Sequence, residues 1–418
     1  MMPESYLAVN ISNVLCSNNG SLTNSHMIQK QIVIALLLLP FIAHGQDGNE
    51  FPDKWDSLMS WYEPRLAKVN IIGNGMVVMK DGEIAAENMY GFQDQDTREP
   101  ITLNTIYNWA SCTKMFTAIA LMQLRDAGIL ALNDPISKHL SEVKSIQNEF
   151  DEEPTIKQVL THTSGLPRFS KTTQLIDGNF YETQSKVSYL EAFKETALEY
   201  TPGTAYRYSN MGYDILGLLI ERVANETYTL YVTKNILTPL GMKNSYFNVL
   251  PDHLQKYRSN NYRGHRKKLY SKAQDFDNAD NTGLDHPSGG LNAPMTDMLL
   301  FVNFLCGINS GASNPLKHTS IEEMLILQQR VHGKQKNGQG HDHFKGIGFD
   351  IINPDSFRLV GHEGESSGFM SSVWVNIETK SGYLFAWNTT YRLPNKKDDT
   401  LFKQISNAMY GEVLPLLK

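Results

Sequence analysis

Two serine–lysine pairs at a spacing of three could each support nucleophilic catalysis: Ser111-Cys-Thr-Lys114 and Ser141-Glu-Val-Lys144. Residues three apart share one face of a helix, so the lysine can lie beside the serine hydroxyl and help to remove its proton. Ser111 opens an apolar helix, whose free N-terminal amides suit an oxyanion, although an N-cap role is the structural alternative. Ser141 lies in a polar stretch. The sequence therefore favours Ser111 as a nucleophile and Ser141 as a surface residue.

Two further motifs follow in order along the chain, Tyr208-Ser209-Asn210 and His362-Glu363-Gly364. Together with Ser111-Cys112-Thr113-Lys114 they resemble the motifs of the serine β-lactamase and penicillin-binding-protein superfamily. The similarity is greatest to its class C-like branch, which has Tyr-x-Asn as the second motif and Lys-Thr-Gly or a histidine variant as the third. The segments LTHTSGLP at 160–167 and PSGGL at 287–291 also resemble this branch. The resemblance extends from about residue 70 to the end of the chain.

This resemblance implies a role for each motif residue. Tyr208, coupled to Lys114, would take the proton of Ser111, an acyl-enzyme would form, and water would release it. A tyrosine with a pKa near 10 is a poor base at neutral pH, so the Lys114 cation would have to favour the phenolate. Asn210 would orient the substrate amide or ester. The backbone amides of Ser111 and Glu365, the latter on an edge strand, would bind the oxyanion.

The third motif is the part of the pattern that bears on substrate choice. The resemblance implies that His362, Glu363 and Gly364 would contribute to substrate binding. His362 is a weaker cation than the lysine of relatives, and its charge depends on pH. The carboxylates of Glu363 and Glu365 would repel anionic substrates. Neutral esters, or D-amino-acid peptides with a free amine, are therefore favoured. A true β-lactamase and a penicillin-binding sensor without turnover remain alternatives.

Other potential sites receive less support. Gly364-Glu-Ser366-Ser-Gly368 matches the nucleophile elbow of α/β-hydrolases, but that fold needs a histidine later in the chain, and none follows His362. His362-Glu363 does not continue to His-Glu-x-x-His. His341-Asp342-His343 stands in a Gly- and Lys-rich loop and is expected to face solvent. His162 is interpreted as structural, and Cys112 as a small core residue. We predict neither a metal nor another cofactor.

The secondary-structure pattern predicts an α+β fold with an antiparallel sheet formed by both chain ends, flanking helices and a helical insert at about 105–285. Hairpins are expected at Ile72–Phe92, with an Asp81-Gly82 turn, and at Ser372–Asn388. Helices are expected at 112–127, 210–224, 296–305 and 401–410. Polar surface loops are expected at 259–283 and 332–345. The length of 418 residues suggests two intimately packed subdomains.

The N-terminal region has the layout of a targeting segment. Residues 27–45 contain a lysine, an apolar run and the small-residue exit Ala43-His44-Gly45, typical of a cleaved signal peptide. We expect residues 1–26 to be an upstream extension and 46–418 to be a periplasmic or secreted hydrolase domain without stable membrane insertion. The net charge of −6 and the absence of a basic cluster argue against nucleic acid as a partner. A small molecule or peptide is the expected ligand. Oligomeric state and pairing of Cys112 with Cys306 stay open.

Overall fold

The structure, a computed structural model, describes residues 50–417 apart from 177–178, 183–184, 248, 266–282, 309–312, 332–341, 354–355, 367 and 393–399. Numbered in chain order, the strands are β1 Gly73–Lys80, β2 Glu83–Asp94, β3 Glu99–Pro100, β4 Ile106–Asn108, β5 Thr173–Ile176, β6 Asn179–Glu182, β7 Tyr262–His265, β8 Asn292–Pro294, β9 Gln329–Arg330, β10 His343–Lys345, β11 Asp350–Ile352, β12 Leu359–Ser366, β13 Phe369–Asn376, β14 Ser381–Trp387 and β15 Thr389–Arg392.

The helices are numbered in the same way. They are α1 Glu50–Lys68, α2 Thr113–Asp126, α3 Ile136–His139, α4 Ile156–Leu160, α5 Lys186–Glu191, α6 Asn210–Ala224, α7 Tyr228–Val232, α8 Thr238–Leu240, α9 His286–Gly289, α10 Met295–Leu305, α11 His318–Met324 and α12 Leu401–Ala408. No helix within the described part of the chain combines the length and apolar character needed to cross a membrane.

One nine-stranded sheet is formed by strands from both ends of the chain, in the order β3-β2-β1-β14-β13-β12-β11-β10-β9. All of its neighbouring strands are antiparallel. The pairing of β1 with β14, in which Met76 lies opposite Phe385, joins the two chain ends. The predicted α+β architecture is therefore confirmed.

Both predicted hairpins are present. The first turns at Asp81 and Gly82, whose φ values of 52° and 92° are the left-handed values that a two-residue turn between twisted strands requires. The second connects β13 to β14. These turns could be predicted because their residue types are dictated locally by backbone sterics.

The two faces of the sheet pack against different sets of helices. Met76 and Val78 point to the face that packs against α1 and α12, whereas Val77 and Met79 point to the face that packs against α2, α6 and α10. This alternation follows from the two-residue period of a strand. Residues Asn49–Lys418 cluster as one compact unit, and the division of this unit into two intimately packed subdomains stays a prediction.

The helix predictions agree with the structure at α2, α6, α10 and α12 within a few residues, but α1 was not predicted. Its buried side chains, Phe51, Trp55, Met59, Tyr62 and Leu66, recur at helical spacing between charged residues. The loop prediction for 332–345 was wrong at its end, because 343–345 form β10 and pair with β11. The prediction for 259–283 was likewise wrong at 262–265, which form β7, and 266–282 lies outside the described residues.

Candidate active site

Ser111 lies in a sharp turn between β4 and α2. The turn is a 3-10 segment, Ala110–Cys112, and Ala110 has a left-handed φ of 46°, which is uncommon for a residue with a Cβ atom. Asn108 holds the turn, because its Oδ1 accepts a hydrogen bond from the Ala110 backbone amide at 3.1 Å. Strained backbone of this kind concentrates at functional sites. Ser111 is half-buried at the N-terminal end of the helix, in the position that the sequence predicts.

Lys114 is fully buried one helical turn after Ser111. Its Nζ lies 3.1 Å from Ser111 Oγ, 2.9 Å from Asn210 Oδ1 and 2.6 Å from the carbonyl oxygen of Ser288. The last two atoms are pure acceptors. In the neutral amine they would take both N–H groups and leave the nitrogen lone pair directed at the serine hydroxyl. As an ammonium Lys114 would donate to all three atoms, and as a neutral amine it can accept the proton of Ser111.

The pKa of Lys114 also favours the neutral amine. Burial lowers its pKa to about 7, against the opposing attraction of Asp214, and the nearby cation of Lys345 lowers it further. A large fraction of the amine is neutral near neutral pH. Lys114 can thus act as a general base at the pH where most enzymes operate.

Tyr208 approaches Ser111 from the other side, with its hydroxyl 2.8 Å from Ser111 Oγ. His162, which has a left-handed φ of 58°, fixes this tyrosine: its Nδ1 accepts a hydrogen bond from the Ser209 amide at 3.1 Å, and its ring lies 4.4 Å from that of Tyr208. Burial raises the pKa of Tyr208. The phenol is therefore protonated at neutral pH and donates a hydrogen bond to Ser111 Oγ. The role of Tyr208 as the base for Ser111 stays a prediction, and the Lys114 amine is a second group that could accept this proton.

Asn210 begins α6 and directs its Oδ1 to Lys114. Within the described residues nothing accepts from its Nδ2, which leaves that group for a substrate carbonyl. Packing of α6 against the start of α9 completes the site. Gly217 gives room for Pro287, since an added Cβ would lie 2.0 Å from Pro287 Cγ. This contact places the Ser288 carbonyl against Lys114.

The third predicted motif lies on β12, against the nucleophile turn. A Cβ added to Gly364 would lie 2.5 Å from the Trp109 carbonyl oxygen and 3.0 Å from Ala110 Cβ, so only glycine permits this approach. Beyond Gly361, β12 has no partner on its β11 side in the described part of the sheet. Residues 362–366 consequently form an open edge beside Ser111. The oxyanion role of the Ser111 and Glu365 amides stays a prediction.

His362 faces the site but does not carry the charge expected of it. Its ring lies 6.2 Å from that of Tyr208, and burial lowers its pKa to about 3. It is therefore neutral, with Nδ1–H donating to the Glu363 carbonyl oxygen at 2.6 Å. The expected pH-dependent cation is therefore not present at neutral pH, because burial outweighs the attraction of Asp350, whose Oδ2 lies 3.6 Å from His362 Nε2.

The carboxylate of Glu363 points away from the nucleophile. Its Oε1 accepts a hydrogen bond from the Tyr410 hydroxyl at 3.0 Å, on the sheet face that packs against α1 and α12. Alternation along β12 explains this, since His362 and Gly364 occupy the opposite face. The prediction that Glu363 contacts substrate was wrong, and by the same alternation Glu365 belongs to the Glu363 side.

A buried ionic cluster beside Tyr208 was not predicted. Lys345 is 3% exposed, forms an ion pair with Asp350, and places Nζ 5.5 Å from the centre of the Tyr208 ring. His343 Nε2 lies 2.5 Å from Asp350 Oδ1. Burial alone would raise the pKa of Asp350, but Lys345 and His343 outweigh it and hold that pKa well below its usual range. His343 is therefore part of this cluster and does not face solvent as predicted.

A local signal for this cluster exists in the sequence Lys345-Gly-Ile-Gly-Phe-Asp350. Two glycines between a lysine and an aspartate indicate a tight hairpin turn, which would place the two charges opposite each other.

The structure also places the other residues that the sequence analysis singled out. Ser141 is exposed, Cys112 and Cys306 are buried free thiols, and His341 is outside the described residues. No group of three or more metal-ligating side chains occurs in the described part of the chain.

Comparison with known proteins is consistent with this arrangement. The chain is 29% identical over 356 residues to "Protein flp" of Staphylococcus aureus strain MW2, covering 85% of this chain and 67% of that protein. It is 35% identical over 187 residues to a Salmonella paratyphi A protein described as "Putative D-alanyl-D-alanine carboxypeptidase", covering 42% of this chain and 43% of that one.

Comparison with solved structures also gives a similar protein. The octameric penicillin-binding protein homologue from Pyrococcus abyssi aligns with a TM-score of 0.70 and 25% identity, covering 86% of this chain and 79% of that one. The family model described as "Beta-lactamase" matches residues 58–407, a span that holds Ser111, Lys114, Tyr208, Asn210 and the third motif. The chain therefore belongs to the Beta-lactamase family, whose general chemistry is serine acyl transfer.

Proposed function

We propose that this protein is a serine hydrolase that cleaves an ester or amide through an acyl-enzyme on Ser111. The observation that carries the proposal is the position of Ser111 Oγ, 3.1 Å from Lys114 Nζ and 2.8 Å from the Tyr208 hydroxyl. One neighbour is a base with a pKa of about 7, and the other is a phenol. A proton acceptor and a proton donor thus flank one half-buried hydroxyl.

The steps of the proposed reaction follow from these two contacts. Lys114 takes the Ser111 proton as Oγ attacks the substrate carbonyl, and the backbone amides of Ser111 and Glu365 are proposed to bind the resulting oxyanion. Tyr208 gives its proton to the leaving group and regains one from Lys114. The Nδ2 group of Asn210 orients the substrate carbonyl. Water then attacks the acyl carbon with Lys114 again as base, and Lys114 returns the proton to Ser111 Oγ as the bond between Oγ and the acyl carbon breaks.

The charged side chains around the site permit a wider range of substrates than the sequence suggested. The preference for neutral substrates rested partly on Glu363, which faces the opposite side of the sheet. In contrast, Arg168 is exposed with its guanidinium 5.8 Å from the Tyr208 ring. We therefore propose peptides with D-amino acids, anionic or neutral esters, and β-lactams as the candidates. A small molecule or peptide of the cell envelope would be met after export and cleavage of residues 27–45.

The test combines labelling with a substrate panel on purified residues 46–418. A fluorophosphonate probe should label the peptide that contains Ser111, Ser111→Ala should abolish labelling, and Ser141→Ala should leave it unchanged as the matched control. Attachment of the probe to Ser141 or Ser366 would refute the assignment. The same preparation is then assayed with p-nitrophenyl esters of both charges, D-amino-acid amides and nitrocefin. One equivalent of product without turnover would identify an acylated sensor in place of a hydrolase.

A further inference from the structure

Lys345 is a buried cation that the proposed reaction does not yet use. Removing a charge from water is unfavourable unless the charge is well paired, so a buried lysine needs a compensating partner. Asp350 supplies that partner, directly opposite Lys345 in the β10–β11 register. The pair lies beside the reacting groups, because Lys345 Nζ is 5.5 Å from the centre of the Tyr208 ring.

The hairpin turn between β10 and β11 fixes where this cation lies relative to α2. The turn is closed by a hydrogen bond from the Gly346 amide to the Phe349 carbonyl at 2.9 Å. Gly348 has a left-handed φ of 79°, and a Cβ there would lie 2.1 Å from Ala118 Cβ. Ala118 is one helical turn beyond Lys114 on α2. The hairpin is therefore docked on the helix that carries Lys114 and that directly follows the turn of Ser111.

We propose that Lys345, held by Asp350, is a positioning residue whose fixed positive charge keeps Lys114 in its neutral form and stabilises negative charge on Tyr208 during the reaction. The inference rests on the proposed acyl-enzyme function. Two cations in one buried site repel each other, so Lys345 favours loss of the Lys114 proton. The same charge favours the phenol when it gives up its proton to the leaving group. Neutral His362, the third-motif residue, cannot supply this charge.

Several other groups surround Lys114 and Tyr208 and contribute to the field that they experience. From α2, α6, the loops before α6 and the sheet, the titratable or charged side chains are those of Cys112, Asp214, Tyr213, His162, Arg168, Tyr206, His362 and Asp350. Asp214 acts against Lys345 by raising the pKa of Lys114, whereas Arg168 acts with it. Lys345 lowers the pKa of Lys114 more than Arg168 does, and the effect of its removal should therefore be measurable.

The experiment measures the second-order rate of fluorophosphonate labelling of Ser111 between pH 5 and 9. Its main variant is Lys345→Met combined with Asp350→Asn, which removes both buried charges together and leaves no unpaired carboxylate. Lys345 influences the pKa of Lys114 more than Asp350 does. We therefore expect the rising limb of the profile to move to higher pH in this double variant. A shift of half a unit lowers the rate at pH 6 by about threefold relative to the rate at pH 9. Lys345→Met alone should shift the limb further.

Two controls separate electrostatics from structure. Lys345→Arg keeps the charge and should keep the midpoint of the wild-type profile. Lys80 lies at the end of β1 in the same sheet and is ion-paired with Asp81. Lys80→Met should therefore leave the profile unchanged. A double variant that folds, labels and shows the wild-type midpoint would overturn the role of Lys345, as would a uniform loss of rate at every pH. Failure of the wild-type protein to label at Ser111 would instead refute the proposed function.

Discussion

The pH dependence of Ser111 labelling tests which group accepts the serine proton. With a pKa of about 7, Lys114 is neutral in roughly one molecule in eleven at pH 6 and in roughly ten in eleven at pH 8. If the neutral amine is the base, the labelling rate should rise about tenfold between these two pH values and then level off. Tyr208, whose pKa is raised by burial, stays protonated throughout this interval.

The assay uses an uncharged fluorophosphonate, so that ionisation of the probe does not contribute to the profile. Asp214→Asn provides a perturbation of known sign, because the Asp214 carboxylate raises the pKa of Lys114. Its removal should move the limb to lower pH and increase the labelling rate at pH 6. A rate that is flat from pH 6 to 8, or that rises only above pH 10, would refute Lys114 as the base. The latter profile would instead favour the Tyr208 phenolate.

Two further predictions concern the sheet. Glu363→Gln should change the labelling rate less than twofold, because the carboxylate bonds to Tyr410 on the far face of β12; a tenfold loss in the same assay would show that Glu363 acts in the site. Gly348→Ala should destabilise the fold by about 1–3 kcal/mol, since the added Cβ would overlap Ala118 and the backbone is left-handed. Thermal unfolding measures this effect, and an unchanged Tm would contradict the docking of the hairpin on α2.

The parts of the fold and site that could be predicted are those with local signals. Asp81-Gly82 specifies its turn through backbone sterics alone, and the spacing of Ser111 and Lys114 specifies a shared helix face. Tyr208 was predicted from the motif order, and the structure brings its hydroxyl to 2.8 Å from Ser111 Oγ. Its protonation could not be predicted in the same way, because the pKa of a buried phenol depends on its complete surroundings.

The orientation of Glu363 could have been predicted but was not. His362 and Gly364 both have to face the nucleophile turn, and the two-residue period of a strand then directs the intervening side chain to the opposite face. Treating the motif as a set of three adjacent substrate contacts ignored this period. The error mattered, because the negative charge predicted at the site depended partly on that carboxylate.

The pairing of Lys345 with Asp350 has a local signal, but the proximity of Lys345 to Lys114 and Tyr208 was beyond prediction for a different reason. Lys345 lies 231 positions after Lys114 in the chain, and its proximity depends on the order of strands in the sheet and on the docking of one hairpin turn against α2. A motif compared position by position assigns the third-motif role to β12, where this chain has a neutral histidine. The structure brings a cation to the same site from β10. Because electrostatic interactions depend on distance and burial and not on which strand supplies the charge, a histidine in the third motif does not imply a weakly cationic site.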